Sequence, residues 1–564
     1  MPEPLQLTRR GVLALAGAAF SPALPAQSAP DRAAPDWAAI VRHNDEAVAT
    51  YLDKQITDPA NPWRGTLPDV YELNNPGSAS GIFVRMMASY LHAQSRYHRD
   101  GELVARMKLA CEHLRRLQTP DGNIDLLITN FNSPPDTSFV VLNAALGAKL
   151  ARDHGERELF AAIEPYLRRS GEALLRGGVH TPNHRWVACA ALAQLYELFE
   201  NDAFIRRIDQ WLAEGVDINA DGQYSEQSTT VYNPITDNAL TTTAQILKRP
   251  ELLDPVRLNL AAMQYLLHAD GEVVTEISHR QDQNTRGTMS RYWYALRYLA
   301  LHDQDGRLAS LLDEIEPDSS GLAELMAYPD LARPLPARAP LPDNYEKVFS
   351  EAQIARIRRG ETSATVLLRG SSRLLAARHG EAVVEGVRMA AAFFGKGQFI
   401  PAAWEKSGGK YVLTQSLDAG YYQPMDPPRK VDWGVPNWYA VRDQRKRTEI
   451  CNIDYRAEIS EQKDGFAVRI VAAGTDRVPV AIEINLRPGG KLEGCSPAPG
   501  AGDAFLPDQK EVVYRFGKNA LRIGPTIREN AYTQVRGAEP KLPGPSLYLT
   551  GMTPFDHTVE LRWV

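Results

Sequence analysis

Two short segments gather side chains able to donate, accept or move protons. The first, Thr181-Pro182-Asn183-His184-Arg185-Trp186, sets an amide, an imidazole and a guanidinium side by side. The second, Asp221-Gly222-Gln223-Tyr224-Ser225-Glu226-Gln227-Ser228-Thr229-Thr230-Val231-Tyr232-Asn233, holds two phenols, two carboxylates and a run of hydroxyls before Pro234 restarts a helix. Pro182 suits a first helical turn, so Asn183 or His184 would stand at a helix start, where unpaired backbone N–H groups and the dipole attract an anion such as a carboxylate. The blander reading makes Asn183 a cap, His184 a hydrogen-bonded surface or core group, and Tyr224 and Tyr232 buried rings. A polar loop this long within a compact domain is often functional. A third segment, Ser278-His279-Arg280-Gln281-Asp282-Gln283-Asn284-Thr285-Arg286, adds His279 and Arg280. Arginine forks match carboxylates.

The elements that must position these groups change period once along the chain. From about Trp37 to Met326 apolar residues recur at helical spacing, as in Ile82, Met86, Met87, Tyr90 and Leu91, or Leu103, Met107, Ala110 and Leu114. Ten to twelve helices are expected, separated by loops such as Asn74-Asn75-Pro76-Gly77 and Thr119-Pro120-Asp121-Gly122. Pro329, Pro334, Pro336, Pro340 and Pro342 then break the pattern, at a density that should leave nothing helical. Beyond them lie strand-like runs, including 365–368, 382–384, 411–413, 466–470, 480–484, 512–514 and 559–563, with Gly408-Gly409 and Gly489-Gly490 as turns. The expected organisation is a multidomain α+β chain: a helical catalytic domain over 37–327, a Pro-rich linker over 328–346 and an antiparallel β domain over 347–564.

Composition bounds the rest. The 564 residues are 44% hydrophobic and 23% charged, with a formal charge of -6. That is ordinary folded protein, without the concentrated basic surface nucleic-acid binding needs. Residues 1–29 read as an export signal: Arg9-Arg10 precede the apolar run from Gly11 to Phe20, and small residues and prolines follow. The paired arginines favour the twin-arginine route, with Sec as the alternative, and place the mature protein in the periplasm or outside the cell. The run falls short of the roughly 20 residues of a spanning helix, and no membrane span is expected in the mature protein. Cys111, Cys189, Cys451 and Cys495 are too scattered for a metal site or a disulfide framework. No metal or cofactor is expected, and the oligomeric state stays open.

The order of helical domain, Asn-His pair at a helix start, Asp-Gly-x-Tyr-x-Glu-x-Ser-x-x-x-Tyr loop some forty residues later, and β domain resembles polysaccharide lyases of the heparinase II/III and alginate lyase type. The resemblance implies an N-terminal (α/α) toroid followed by a C-terminal antiparallel β-sandwich. It implies an acidic polysaccharide or oligosaccharide as substrate, cleaved beside a uronic acid by β-elimination. It further implies that Asn183 and His184 neutralise the uronate carboxylate and that Tyr232 is the general acid or base. No His-Gly-His-like motif occurs, so neither a β-domain histidine nor a structural metal carries over.

Elementary chemistry is consistent with those roles. The C5 proton of a uronate resists removal while the adjacent carboxylate is charged, because a second negative charge would enter the same conjugated group. Donors preorganised around that carboxylate stabilise the enolate-like transition state more than the ground state. A tyrosine near a cation can then take the proton and return one to the leaving glycosidic oxygen. His184 is the alternative base. Arg185, Tyr224, Glu226, His279, Arg280 and Trp186 are candidate substrate-binding residues, with Trp186 and Tyr224 foremost among possible sugar-stacking rings. Trp293, Tyr294, Trp433, Trp438 and Tyr439 rank below them, and Arg378-His379 and Tyr421-Tyr422 offer further β-domain candidates. Two other readings compete. One is a glycoside hydrolase using two carboxylates among Asp136, Asp221, Glu226 and Asp237. The other is a non-catalytic periplasmic glycan-binding protein.

Overall fold

The computed structural model describes residues 35–564 apart from 74, 314, 316–320, 435–436 and 501. The segment 1–29 read as an export signal, Asn74 and part of the segment 433–442 therefore lie outside the described residues. The chain folds as two compact units, one ending at Pro342 and the other comprising His268–Asp270 and Asp343–Val564.

Twelve α-helices are described in the first unit: α1 (Trp37–Lys54), α2 (Pro76–Leu91), α3 (Gly101–Leu117), α4 (Pro134–Asp153), α5 (Arg157–Arg176), α6 (Pro182–Phe199), α7 (Asp202–Leu212), α8 (Tyr232–Leu247), α9 (Leu253–Met263), α10 (Trp293–His302), α11 (Gly306–Asp313) and α12 (Gly321–Ala327). The even-numbered helices pack side by side, α2 on α4, α4 on α6, α6 on α8 and α8 on α10, and α12 returns to α2 and α4. Odd-numbered helices form an outer layer, α3 on α5 and α5 on α7. This is an (α/α) toroid. Burial follows the layers. The α6 helix buries the continuous stretch from Trp186 to Leu195, whereas α7 buries only Phe204 and Ile208. A helix apolar all round belongs inside, and one with a single apolar stripe belongs on the surface. No described helix is long and apolar enough to cross a membrane.

The proline-rich stretch is not wholly free of helix. A 3₁₀ turn spans Pro329–Ala332, because proline is tolerated at a first helical position where its missing N–H would have no partner. The prolines at 334–342 do stop regular structure, and the next strand begins at Asn344.

The second unit stacks an eight-stranded sheet on a nine-stranded one; among the described residues its strands pair antiparallel except Ala504–Pro507 with Ser546–Met552, and the isolated bridge Arg528–Thr550 is also parallel. Gly408 and Gly409 both have positive φ (56° and 77°) and turn the chain between Ala403–Ser407 and Lys410–Tyr422. That is the two-residue hairpin geometry glycine supplies without strain. Alternation sets the core: Ile453, Tyr455, Ala457 and Ile459 point inward from one sheet and meet Val480, Ile482 and Ile484 from the other.

Candidate active site

The site is built where α6 starts. Thr181 is its N-cap residue and Pro182 its first helical residue, yet no side chain caps the helix. In this it matches α5, α8, α9 and α10, whereas α1, α2, α3, α4 and α7 are each capped by a side chain, from Asp36, Asn75, Asp100, Ser133 and Asn201. The Thr181 hydroxyl instead lies 3.3 Å from the Asn183 amide nitrogen. The positive end of the α6 dipole thus keeps donors that a bound anion can use.

Asn183 and His184 are both buried, with exposures of 2% and 8%. The Asn183 amide donates to Glu226 Oε2 at 2.6 Å, while its own Oδ1 has no protein partner. The His184 ring lies edge-on to Phe139 and to His180, and its Nδ1 is likewise unpartnered. Burial holds the His184 pKa down at about 4, helped by His180 and Arg280 and opposed by Asp136. The imidazole is therefore neutral near pH 7. It can donate or accept a hydrogen bond, but it brings no positive charge.

The cation is Arg280. Its Nε lies 3.3 Å from Glu226 Oε1, a charge contact without hydrogen-bond geometry, and its guanidinium sits 4.9 Å from the Tyr232 ring centroid. Tyr232 is half-buried and its hydroxyl accepts a hydrogen bond from Gln281 Nε2 at 2.9 Å. It is the first residue of α8, two positions earlier than Pro234 led us to expect. The Ser228 hydroxyl accepts the Tyr232 backbone N–H at 3.1 Å and so starts the helix there.

Two loops distant in sequence meet to form this cluster, and Asp282 joins them. Its buried carboxylate accepts from the Ser228 hydroxyl, the Thr230 N–H and hydroxyl, and the Ser278 hydroxyl. The His279 N–H adds a bond of 3.0 Å to the Glu226 carbonyl. Gly222 lets the first loop turn: its φ is 77°, and a Cβ there would come within 2.4 Å of the Leu258 carbonyl oxygen.

Several expected substrate contacts are placed elsewhere. Trp186 is fully buried and donates from Nε1 to Asp217 at 2.9 Å. Arg185 pairs with Glu214 and Asp217 and stacks on Trp186. Residues two apart on a helix point about 200° apart, so Arg185 cannot share the face of Asn183. Tyr224 is 3% exposed and donates its hydroxyl to Asp237 at 2.6 Å; burial pushes both groups well up. Neither Trp186 nor Tyr224 offers a ring to a sugar. Glu226, 7% exposed, faces protein groups, while His279 is exposed. Trp293 and Tyr294 are core residues, whereas Trp433, Trp438 and Tyr439 in the second unit are exposed. Arg378 is buried against Asp270, and His379 stacks on Trp563.

Asp282, Gln281 and His180 were not singled out by residue type. Asp282 is the lone acid in the third polar segment, and that is the only signal it gave. Among the described residues no group of three or more His, Cys, Asp or Glu side chains could hold a metal ion, and all four cysteines are free.

No family model matches the sequence, and no curated protein matches it. Solved structures do. A Paenibacillus xanthan lyase is similar at 12% identity with a TM-score of 0.54, over 94% of this chain and 57% of that one. The chain thus spans just over half the length of that structure. A mutant chondroitin AC lyase from Streptomyces coelicolor A3 follows at 14% identity and a TM-score of 0.45, covering 97% of this chain and 78% of that one. A mutant heparan sulfate lyase from Pedobacter heparinus has 11% identity, a TM-score of 0.46 and coverages of 93% and 88%. The first likeness establishes that the fold is shared with a polysaccharide lyase.

Proposed function

We propose that the chain is a polysaccharide lyase that cleaves a uronate-containing glycan by β-elimination. The observation that carries the reading is the placement of Tyr232. A half-buried phenol under the Arg280 guanidinium joins, through Glu226, the uncapped helix start that presents Asn183 and His184. The fold shared with a xanthan lyase is the frame in which such a site is at home.

In this reading the uronate carboxylate sits at the start of α6. Asn183 turns to it the amide hydrogen that the Thr181 hydroxyl otherwise holds at 3.3 Å, and neutral His184 adds a hydrogen bond. Arg280 offsets the Glu226 charge beside the site, so the carboxylate meets hydrogen-bond donors rather than a second anion. With the carboxylate so held, the Tyr232 phenolate takes the C5 proton and electron density moves into an enolate-like group, which the fixed donors stabilise. Collapse forms the C4–C5 double bond and breaks the C4–O bond, and the Tyr232 phenol hands its proton to the departing oxygen. Protons and electron pairs balance without any added reactant.

The hydrolase reading finds less support, because three of its four acids are already engaged by protein donors. Asp237 is bonded by Tyr224, Asp136 by Ser133 and Asn130, and Glu226 by Asn183 with Arg280 alongside. The deciding experiment mixes the purified protein with alginate, hyaluronan, heparan sulfate, chondroitin and xanthan while ultraviolet absorbance is followed. Elimination yields a conjugated, absorbing product whose fragments sum to the mass of the substrate. New reducing ends with a water added and no absorbance would replace the lyase with a hydrolase.

A further inference from the structure

We infer that Glu226 is a positioning residue: it aims the Asn183 amide and holds the Arg280 guanidinium over Tyr232, without itself touching the glycan. The inference rests on the lyase reading and deepens it by assigning the group that orients the carboxylate clamp.

Three observations converge on Glu226. Its two carboxylate oxygens are divided, Oε2 taking the Asn183 amide at 2.6 Å and Oε1 lying 3.3 Å from Arg280 Nε. Its backbone carbonyl accepts the His279 N–H, so the same residue ties the main chain of one loop to that of the other. Directly after it, Gln227 adopts a left-handed φ of 48°, a conformation that strains a non-glycine residue and persists only where surrounding bonds impose it. The residues that follow it, Ser228 and Thr230, are held by bonds to Asp282.

The orientation matters chemically. An asparagine amide can present either its oxygen or its nitrogen, and an oxygen aimed at a uronate would repel it. A carboxylate 2.6 Å from the nitrogen fixes the NH₂ edge, because the reverse orientation would set two acceptors face to face. The second N–H, held at 3.3 Å by the Thr181 hydroxyl, is the one the substrate carboxylate takes over. A buried anion beside an anion site would weaken binding were its charge not offset, and Arg280 offsets it. The pair is neutral as a unit, and the donors it aims are what the substrate meets.

The test uses whichever of those five polymers the wild type cleaves, as its sodium salt and as its methyl ester. In the ester the carboxylate is already neutralised, so a residue that acts through the carboxylate clamp matters less. Glu226→Ala should lower kcat/KM on the salt by about 10²-fold, the scale of a displaced catalytic donor, and on the ester by less than about 10-fold. Glu226→Gln keeps an acceptor for Asn183 and should recover about 10-fold of the loss. In an Asn183→Ala background the Glu226→Gln loss should shrink to less than about 3-fold, because coupled residues are not additive. If Glu226→Ala does not fold, Glu226→Gln alone and with Asn183→Ala carries the test. Equal losses on salt and ester, or full additivity with Asn183→Ala, overturn the positioning role while leaving the lyase intact. Absence of unsaturated product from the wild type on every polymer overturns the lyase reading and this inference with it.

Discussion

Two buried polar nodes of the helical unit, one at α1 and one at α6, resemble each other in composition and differ in completeness. At the first, the Asp45 carboxylate takes the Ser89 hydroxyl at 2.6 Å, the Ser95 hydroxyl at 2.7 Å and the Arg96 N–H at 2.9 Å, while Asn44 donates to the Arg85 carbonyl and to Ser89. None of Asn44, Asp45, Ser89 or Ser95 is left with a buried unpartnered side-chain atom. At the second, Asn183 Oδ1, His184 Nδ1, Glu226 Oε1 and Arg280 Nε are all buried without a hydrogen-bond partner. Each such group costs about 1–3 kcal/mol when nothing pairs it. Glu226 Oε1 and Arg280 Nε face each other at 3.3 Å, so Asn183 Oδ1 and His184 Nδ1 are the atoms of the second node left open to something that binds. The lesson is that burial and polarity mark both nodes alike, and only the unmatched atoms tell them apart.

The largest test of that contrast removes one oxygen from the open node. Tyr232→Phe should lower turnover by about 10³-fold or more, about 4 kcal/mol of transition-state stabilisation. Its melting temperature should stay within about 2 °C of wild type, since the lost bond to Gln281 is at the surface. Retained activity would remove Tyr232 from the chemistry. The closed node should respond in stability instead. Asp45→Ala strands two buried hydroxyls and an N–H, and should cost about 3 kcal/mol in a urea titration, with kcat of the folded fraction within about 3-fold of wild type. A large kcat loss there would mean that the two nodes are not separate in function.

Much of this frame was legible in the sequence. Helical periodicity marked the helical unit, whose closure into a toroid came only from the resemblance, and each strand-like run beyond the prolines lies within or overlaps a strand. Pro182 gave away the start of α6, because proline at a first helical position has a backbone reason. What the sequence hid was direction. Asn183, Arg185 and Trp186 are neighbours in the chain, but the helix turns Arg185 and Trp186 toward Asp217 and leaves Asn183 facing Glu226. Tyr224 and Tyr232 share one loop motif, yet one ring is core and the other half-exposed. The part played by Asp282 depends on a pairing between loops more than fifty residues apart, which no local pattern records.

Those two tyrosines give a smaller and sharper form of the comparison. Tyr224→Phe removes the donor to buried Asp237 and should cost about 2 kcal/mol of stability while leaving kcat within about 3-fold. The same substitution eight residues later is the one expected to silence turnover. If Tyr224→Phe lost activity without losing stability, the division between a structural and a chemical phenol would fail.

The smallest effect separates the histidines. Burial depresses both His113 and His184 to about 4, but His113 contacts the Arg64 carbonyl and Arg116 rather than any group of the site. A histidine whose folded pKa lies below its unfolded value near 6.5 binds its proton more readily when the chain is unfolded. The stability each neutral ring contributes is present above about pH 6.5 and is lost as pH falls through about 4. Urea midpoints followed from pH 6.5 to 4 should therefore decline in the wild type, and His113→Gln should remove about 1–2 kcal/mol of that decline after allowance for partial solvation. The profile of kcat against pH should be the same for His113→Gln and wild type, because the ring that faces the substrate is unchanged. Were His113→Gln to move the kinetic profile while leaving the stability slope alone, the depressed histidine at α3 would belong to the chemistry, and contact with Arg280 and His180 would no longer be what sets His184 apart.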